Sequence, residues 1–292
     1  MTADPGFEVP ALSCDCHMHI FGPPDRYPPA PVRAYDPTEA SVAQYRAVML
    51  PLGLQRLVIV QPSAYGTDNR CTLDAIRALG RAARGVAVID AATPEAALDD
   101  MHAAGVRGIR LNLVTNGIPD AAAAATVMRQ AAARIGPRGW HVQIYVPAEL
   151  LADLAPAIAS LDVPVVVDHM GSAKGWLGAD QPGTNELVAL LAAGKCWVKV
   201  SGANRISREA TGFRDALPVM RALIAANPER VVWGTDWPHI GPNDVGAPKP
   251  AVYMPHDNAD LLRLLGEAAP DAAVRHRILV DNPAHLYGFA AP

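Results

Sequence analysis

Two histidines, His17 and His19, stand two residues apart in the run Cys14-Asp15-Cys16-His17-Met18-His19. On an extended strand, positions i and i+2 share a face. Both imidazoles would therefore point the same way, with Asp15, while Cys14, Cys16 and Met18 would face the other way. Arg110 and Asn112 repeat the i, i+2 relation. Gln61, Ser63, Tyr145, Asp168-His169 and Asn204-Arg205 follow other apolar runs, and the last such run ends in Gly234-Thr235-Asp236-Trp237-Pro238-His239. A carboxylate of ordinary pKa is ionised at pH 7 and can take a proton from water. Imidazoles can donate towards a developing oxyanion, and guanidinium forks suit carboxylates.

Each position alone also has a structural reading. His169 can be a hydrogen-bonded strand-end residue, and Arg110 or Arg205 can reach solvent or pair with an acid. Tyr145 can pack with its hydroxyl satisfied, Asn112 can tie down a loop, and Asp236 can cap a turn. His102, His256, His276 and His285 fall on helical stretches or late loops and read as structural. His141 begins a strand, which puts it at the opposite end from the others. The cysteines read as buried packing residues. What outweighs the structural readings for the main set is that its members all follow strands.

The strand candidates are 13–20, 56–61, 85–90, 108–112, 141–146, 163–168, 196–202 and 230–236. Between them lie helical patterns near 38–50, 70–83, 94–104, 120–135, 148–160, 184–193 and 213–226, with two more near 258–267 and 271–280. Thr93-Pro94-Glu95 reads as a helix start, a capping hydroxyl before proline at the first helical position. Strict alternation of strand and helix makes parallel βα units. Eight of them without a long linker predict an α/β fold of the closed (β/α)8 TIM barrel type, one domain over residues 1–292. The competing arrangement is an open doubly wound sheet, but its GxGxxG signature is absent, as is GxxxxGK[ST]. In a barrel the active site forms at the carboxyl ends of the strands, where the residues above fall. Pro-rich excursions at 22–37 and 238–256 follow the first and last strands.

Composition agrees. The chain has 292 residues, 50% hydrophobic and 18% charged, enough apolar mass for a large core. Its net charge of −4, from 25 basic and 29 acidic residues without a basic block, argues against nucleic acid as a partner. The 27 prolines are scattered, as in a fold with many loops. Four cysteines without a C-x-x-C pair make neither a disulfide scaffold nor a zinc ribbon. No signal peptide pattern opens the chain and no run of about 18 apolar residues spans a membrane. A cytoplasmic location is the expectation; oligomeric state, a homo-oligomer included, is left open. These readings stop at a barrel enzyme acting on a small anion.

CDCHMHIFGP (14–23), VVVDHMG (165–171) and WGTDWPH (233–239), in this order, resemble the amidohydrolase superfamily, and within it the lactone-opening branch typified by the 2-pyrone-4,6-dicarboxylate lactonases. AGVRGIRLN (104–112), WHVQIY (140–145) and LVDNPAHLY (279–287) extend the similarity over nearly the whole chain. The resemblance implies that His17 and His19 are the strand-1 pair, His169 the strand-6 histidine and Asp236 the general base. It implies that Tyr35, Ser63, Arg110, Tyr145, Arg205 and His239 line the substrate pocket. The pyrone lactonases carry a further arginine shortly after the strand-4 arginine, where this chain has Thr115-Asn116, so the exact dicarboxylate is not carried over.

The same resemblance implies catalysis with no cofactor required. The alternative is one zinc ion on His17, His19 and Asp236, three protein ligands with an open position for water. A binuclear site is not expected, because strands 4 and 5 supply neither a lysine nor an acid. The expected activity is hydrolysis of a carboxylated lactone or pyrone, a small anionic substrate. The alternatives are a zinc-dependent amidohydrolase or decarboxylase acting on a small carboxylic acid, a lactone isomerase, and a non-catalytic small-acid binder.

Overall fold

The computed structural model describes residues 4–113, 120–241 and 249–290. Its eight parallel strands follow one another in chain order: β1 (Cys14–Met18), β2 (Arg56–Val60), β3 (Ala83–Ala87), β4 (Val106–Asn112), β5 (His141–Tyr145), β6 (Val165–Val167), β7 (Trp197–Val200) and β8 (Val231–Trp233). They are short and rich in valine and isoleucine, as suits strands buried on both faces. The segment after β8 returns to β1 and closes the ring. Asp236 N–H donates to His17 O at 2.7 Å, and His19 N–H donates to Trp237 O at 2.8 Å. The barrel is closed, and the open-sheet alternative falls.

Around it run α1 (Val42–Met49), α2 (Arg70–Leu79), α3 (Glu95–Ala104), α4 (Ala121–Ile135), α5 (Ala148–Ser160), α6 (Thr184–Ala192), the single turn α7 (Ala203–Ile206) and α8 (Leu217–Ala226), followed by α9 (Asn258–Ala268), α10 (Ala272–His276) and α11 (Asn282–Tyr287). Among the described residues no helix is long and apolar enough to cross a membrane. One expected cap is corrected: Pro94 is the cap residue of α3, and Thr93 makes no capping bond. Thr93 Oγ1 instead donates to Asp90 Oδ1 at 2.9 Å and accepts from Asp90 N at 3.1 Å, so a local turn has already used the hydroxyl.

The facing of β1 is also corrected. Asp15 pairs with Leu57 and Met18 with Ile59, so three steps on β1 match two on β2, a bulge at Cys16-His17. Before the bulge, Cys14 points inward; at it, Cys16 does too, and both pack with Val58, Val60, Val86, Val166 and Val232 inside the barrel. Asp15 points outward, accepting from Tyr45 Oη of α1 at 2.6 Å and from Thr235 N at 3.0 Å. Met18 belongs to the layer between strands and helices. Strict alternation would have put Asp15 with the histidines; the extra residue lets His17 and His19 face inward without it.

The excursions after β1 and β8 meet across the mouth. Asp36 N–H donates to Lys249 O at 2.8 Å, and Ala251 N–H donates to Asp36 O at 2.7 Å.

Candidate active site

A small cavity of about 80 Å³ opens at the carboxyl end of the barrel, walled by His19, Tyr35, Ser63, Arg110, Asn112, Tyr145, His169, Arg205, Asp236 and the apolar Pro62 and Ile240. Eight of the ten residues singled out in the sequence are on this wall. His17 lies directly beneath it, fully buried. His239 is not brought to the wall: its Nε2 lies 2.9 Å from Asn258 Oδ1, and its ring meets His256 edge-on at 5.4 Å. Asn116, the position of the missing arginine, lies outside the described residues.

Asp236 is the centre of the arrangement. Its Oδ1 lies 3.6 Å from His17 Nε2, 3.6 Å from His19 Nε2 and 3.8 Å from His169 Nε2, and Arg205 Nε donates to its Oδ2. Burial alone would raise this carboxyl, but the Arg205 guanidinium and His169 overcome it and hold it well below the usual carboxylate range. Its backbone is in the left-handed region, φ 64°, as is that of His169, φ 49°. Such a conformation is strained for residues with a Cβ and clusters at functional sites. Gly202 makes room for His169: a Cβ there would come within 2.7 Å of His169 Nδ1.

The histidines differ in what they can offer. His19 Nδ1 lies 2.8 Å from the Val60 carbonyl oxygen, which can only accept. A neutral His19 therefore carries its proton on Nδ1 and presents a bare Nε2 to the cavity, against the expectation that it donates. His169 Nδ1 lies 3.0 Å from Ser201 Oγ. With that hydroxyl donating, His169 presents Nε2–H. Burial pushes His169 down to about 4, so it is neutral at pH 7, and burial also lowers His17.

On the walls, Tyr35 is buried against Ser63, Arg110 and Arg205; burial raises its phenol, so it stays protonated. Tyr145 stands edge-on to His169 at 5.2 Å, and the Arg110 guanidinium lies 5.6 Å from the Tyr145 ring centre. Arg110 and Arg205 leave the pocket cationic on two sides.

Beneath the cavity is a polar layer that sequence reasoning missed. Lys199, fully buried, donates from Nζ to Gln143 Oε1 at 2.6 Å. Gln143 Nε2 donates to Asp168 Oδ2 at 2.9 Å, and Arg110 Nε lies 3.5 Å from the same oxygen. The available signal was alternation: Lys199 is two before Ser201, and Gln143 two before Tyr145, so each shares the inward face of its strand.

The donor set also suits a metal. Ligand atoms of His17, His19 and Asp236 lie within 4.8 Å of one another, and buried His17 Nε2 and Asp236 Oδ1 make no hydrogen bond. His19 has the bare Nε2 and carbonyl-bound Nδ1 usual for a zinc ligand. These residues fit a single divalent ion.

Comparison with known proteins finds relatives along nearly the whole chain. A family model described as amidohydrolase matches residues 14–289. A 4-sulfomuconolactone hydrolase of Hydrogenophaga intermedia is 37% identical over 290 residues, covering 98% of this chain and 91% of its own. A 2-pyrone-4,6-dicarboxylate hydrolase of Comamonas testosteroni is 38% identical over 292 residues, covering 97% and 92%. An apo crystal structure of an Agrobacterium tumefaciens protein superposes with a TM-score of 0.82 at 30% identity, covering 99% of this chain and all of that one.

Proposed function

Because the chain belongs to the amidohydrolase family, we propose that it hydrolyses a carboxylated lactone or pyrone to the open-chain acid. The observation that carries this reading is Asp236: a buried carboxylate, held ionised, on a cavity wall with cations on two sides. The two hydrolases at 37% and 38% identity act, by their names, on an anionic lactone and a dicarboxylated pyrone.

The chemistry follows from the groups present. Asp236 Oδ1 takes one proton from water while His19 Nε2 accepts a hydrogen bond from the O–H that remains. The water oxygen bonds to the lactone carbonyl carbon, and His169 Nε2–H donates to the oxyanion that forms. The ring C–O bond then breaks, and its oxygen takes the proton that Asp236 had accepted, which restores the carboxylate as the acid opens. General base catalysis of this kind contributes about 10²–10⁴-fold, and oxyanion donors several kcal/mol elsewhere. Arg110 and Arg205 hold the substrate carboxylates; Tyr35, Ser63 and Tyr145 orient the ring. His17 supports Asp236 from below, in place of the direct oxyanion contact expected for it.

In this reading no cofactor is required. A divalent ion on His17, His19 and Asp236 would supply Lewis-acid polarisation of the carbonyl; the fit of that donor set supports a zinc-dependent hydrolase as the second reading. The location proposed is cytoplasmic.

Chelator-treated protein followed on 2-pyrone-4,6-dicarboxylate, by the ultraviolet absorbance lost on ring opening, tests both readings. Rapid turnover supports the metal-free lactonase. Turnover that appears only after zinc is returned moves the reaction to the second reading. Silence in both cuvettes overturns this substrate.

A further inference from the structure

Asp15 lies on the helix side of β1 and off the cavity wall, yet its carboxylate joins the two chain segments that carry His17 and Asp236. Its Oδ1 accepts from the backbone N–H of His17 at 3.0 Å and of Thr235 at 3.0 Å. Its Oδ2 accepts from Thr235 Oγ1 at 2.5 Å and from Tyr45 Oη at 2.6 Å. A carboxylate offers about four lone-pair sites, and these four donors fill them. Asp15, Tyr45 and Thr235 are all buried, so water does not replace a lost bond. The same network reaches past Asp236. Thr235 Oγ1 accepts from Trp237 N at 3.0 Å, and the Tyr45 ring centre lies 5.3 Å from that of Trp237. Gly234 lets the two segments come this close: a Cβ there would stand 2.6 Å from His17 N and 3.0 Å from Asp15 Oδ1.

We propose that Asp15 is a positioning residue: from behind β1 it holds Asp236 in the conformation that faces His17 and His19. The left-handed backbone of Asp236, φ 64°, is strained for a residue with a Cβ, and such strain persists only where the surroundings over-determine it. Asp15 supplies that constraint. It fixes Thr235 through both backbone and hydroxyl, and the Thr235 hydroxyl fixes Trp237. His17, held by the same carboxylate, receives the Asp236 N–H on its carbonyl oxygen at 2.7 Å. Asp236 is thus pinned on either side and through its own N–H, which keeps its Oδ1 3.6 Å from His17 Nε2 and 3.6 Å from His19 Nε2. The catalytic use of this geometry rests on the hydrolytic reading above, but the placement of Asp236 does not.

The test is Thr235→Val beside Asp15→Ala and Asp15→Asn, each assayed well below its own thermal midpoint. Thr235→Val keeps the shape and the backbone bond to Asp15 but loses the hydroxyl that links Asp15 to Trp237. In its crystal structure Asp236 Oδ1 should draw away from the two histidines by about 1 Å, a misplacement that can cost about 100-fold. Asp236 unmoved in that structure overturns the proposal, whatever the enzyme turns over. On 2-pyrone-4,6-dicarboxylate, kcat should fall at least about tenfold in Thr235→Val and about 100-fold in Asp15→Ala, with KM within about twofold of wild type. A lowered midpoint with unchanged kcat is the mark of a purely structural carboxylate and overturns the proposal as well. If Asp15→Ala does not fold, Thr235→Val decides alone. Asp15→Asn keeps an oxygen for the two backbone donors, so its kcat should stay within about tenfold of wild type. A loss of about 100-fold there would assign the effect to the charge of Asp15 and overturn the positioning role. Absence of activity in the wild type would remove the substrate reading and leave the crystallographic test standing.

Discussion

Arg205 Nε donates to Asp236 Oδ2, so the carboxylate assigned as base is paired with a pocket guanidinium. The same arginine is 27% exposed at its side chain and lines the cavity, where it can also reach a substrate carboxylate. One cation is therefore placed to serve both the proposed base and the anion it would act upon. Arg205→Met should raise KM for a dicarboxylated lactone by about 30-fold, equivalent to about 2 kcal/mol for one partner of a buried charge pair. For an analogue lacking that carboxylate the rise should be much smaller. Equal effects on both substrates would show that Arg205 acts only on Asp236.

Asp236→Asn keeps the shape of the site and removes the proton acceptor. Its kcat should fall by about 10²–10⁴-fold, with an unchanged thermal midpoint and circular dichroism. A variant with near-wild-type kcat would take Asp236 out of the base role.

Arg110 faces the cavity and, through Nε, the Asp168 carboxylate at 3.5 Å. If it holds a substrate carboxylate alike in ground and transition states, Arg110→Met should raise KM about tenfold or more with kcat nearly kept. A loss confined to kcat would assign it to the oxyanion instead.

His141, at the amino-terminal end of the barrel, is buried, and burial followed by the Lys199 charge pushes it down to about 3. An unfolded chain protonates this histidine near 6.5. Between about 6.5 and 3 the unfolded state thus binds a proton that the folded state refuses, and stability falls as pH falls. The slope from this one group approaches about 1.4 kcal/mol per pH unit. Urea midpoints of wild type and His141→Leu between pH 6.5 and 4.5 check the sign: the variant should lose stability less steeply on acidification. Parallel curves would show that His141 is protonated in the fold.

The sequence alone determined the repeat of strand and helix, and therefore the barrel, because the alternation of valine-rich runs with alanine- and leucine-rich stretches is local. It also determined that the candidate site residues gather in one place, since His17, His19, Arg110, Tyr145, His169 and Asp236 all follow or end strands, and parallel barrels gather those ends at one mouth. Tertiary structure decided which way β1 turns. Its bulge at Cys16-His17 exists only relative to the partner strand β2, so no spacing within β1 could show that Asp15 leaves the histidines and the cysteines turn inward. It decided that His239 meets Asn258 and is not among the residues that wall the cavity. It also decided the setting of Lys199, Gln143 and Asp168. A lysine between Val198 and Val200 carries no label of its own, and its meaning appears only when β5, β6 and β7 bring an amide, a carboxylate and an ammonium together in a space that excludes water.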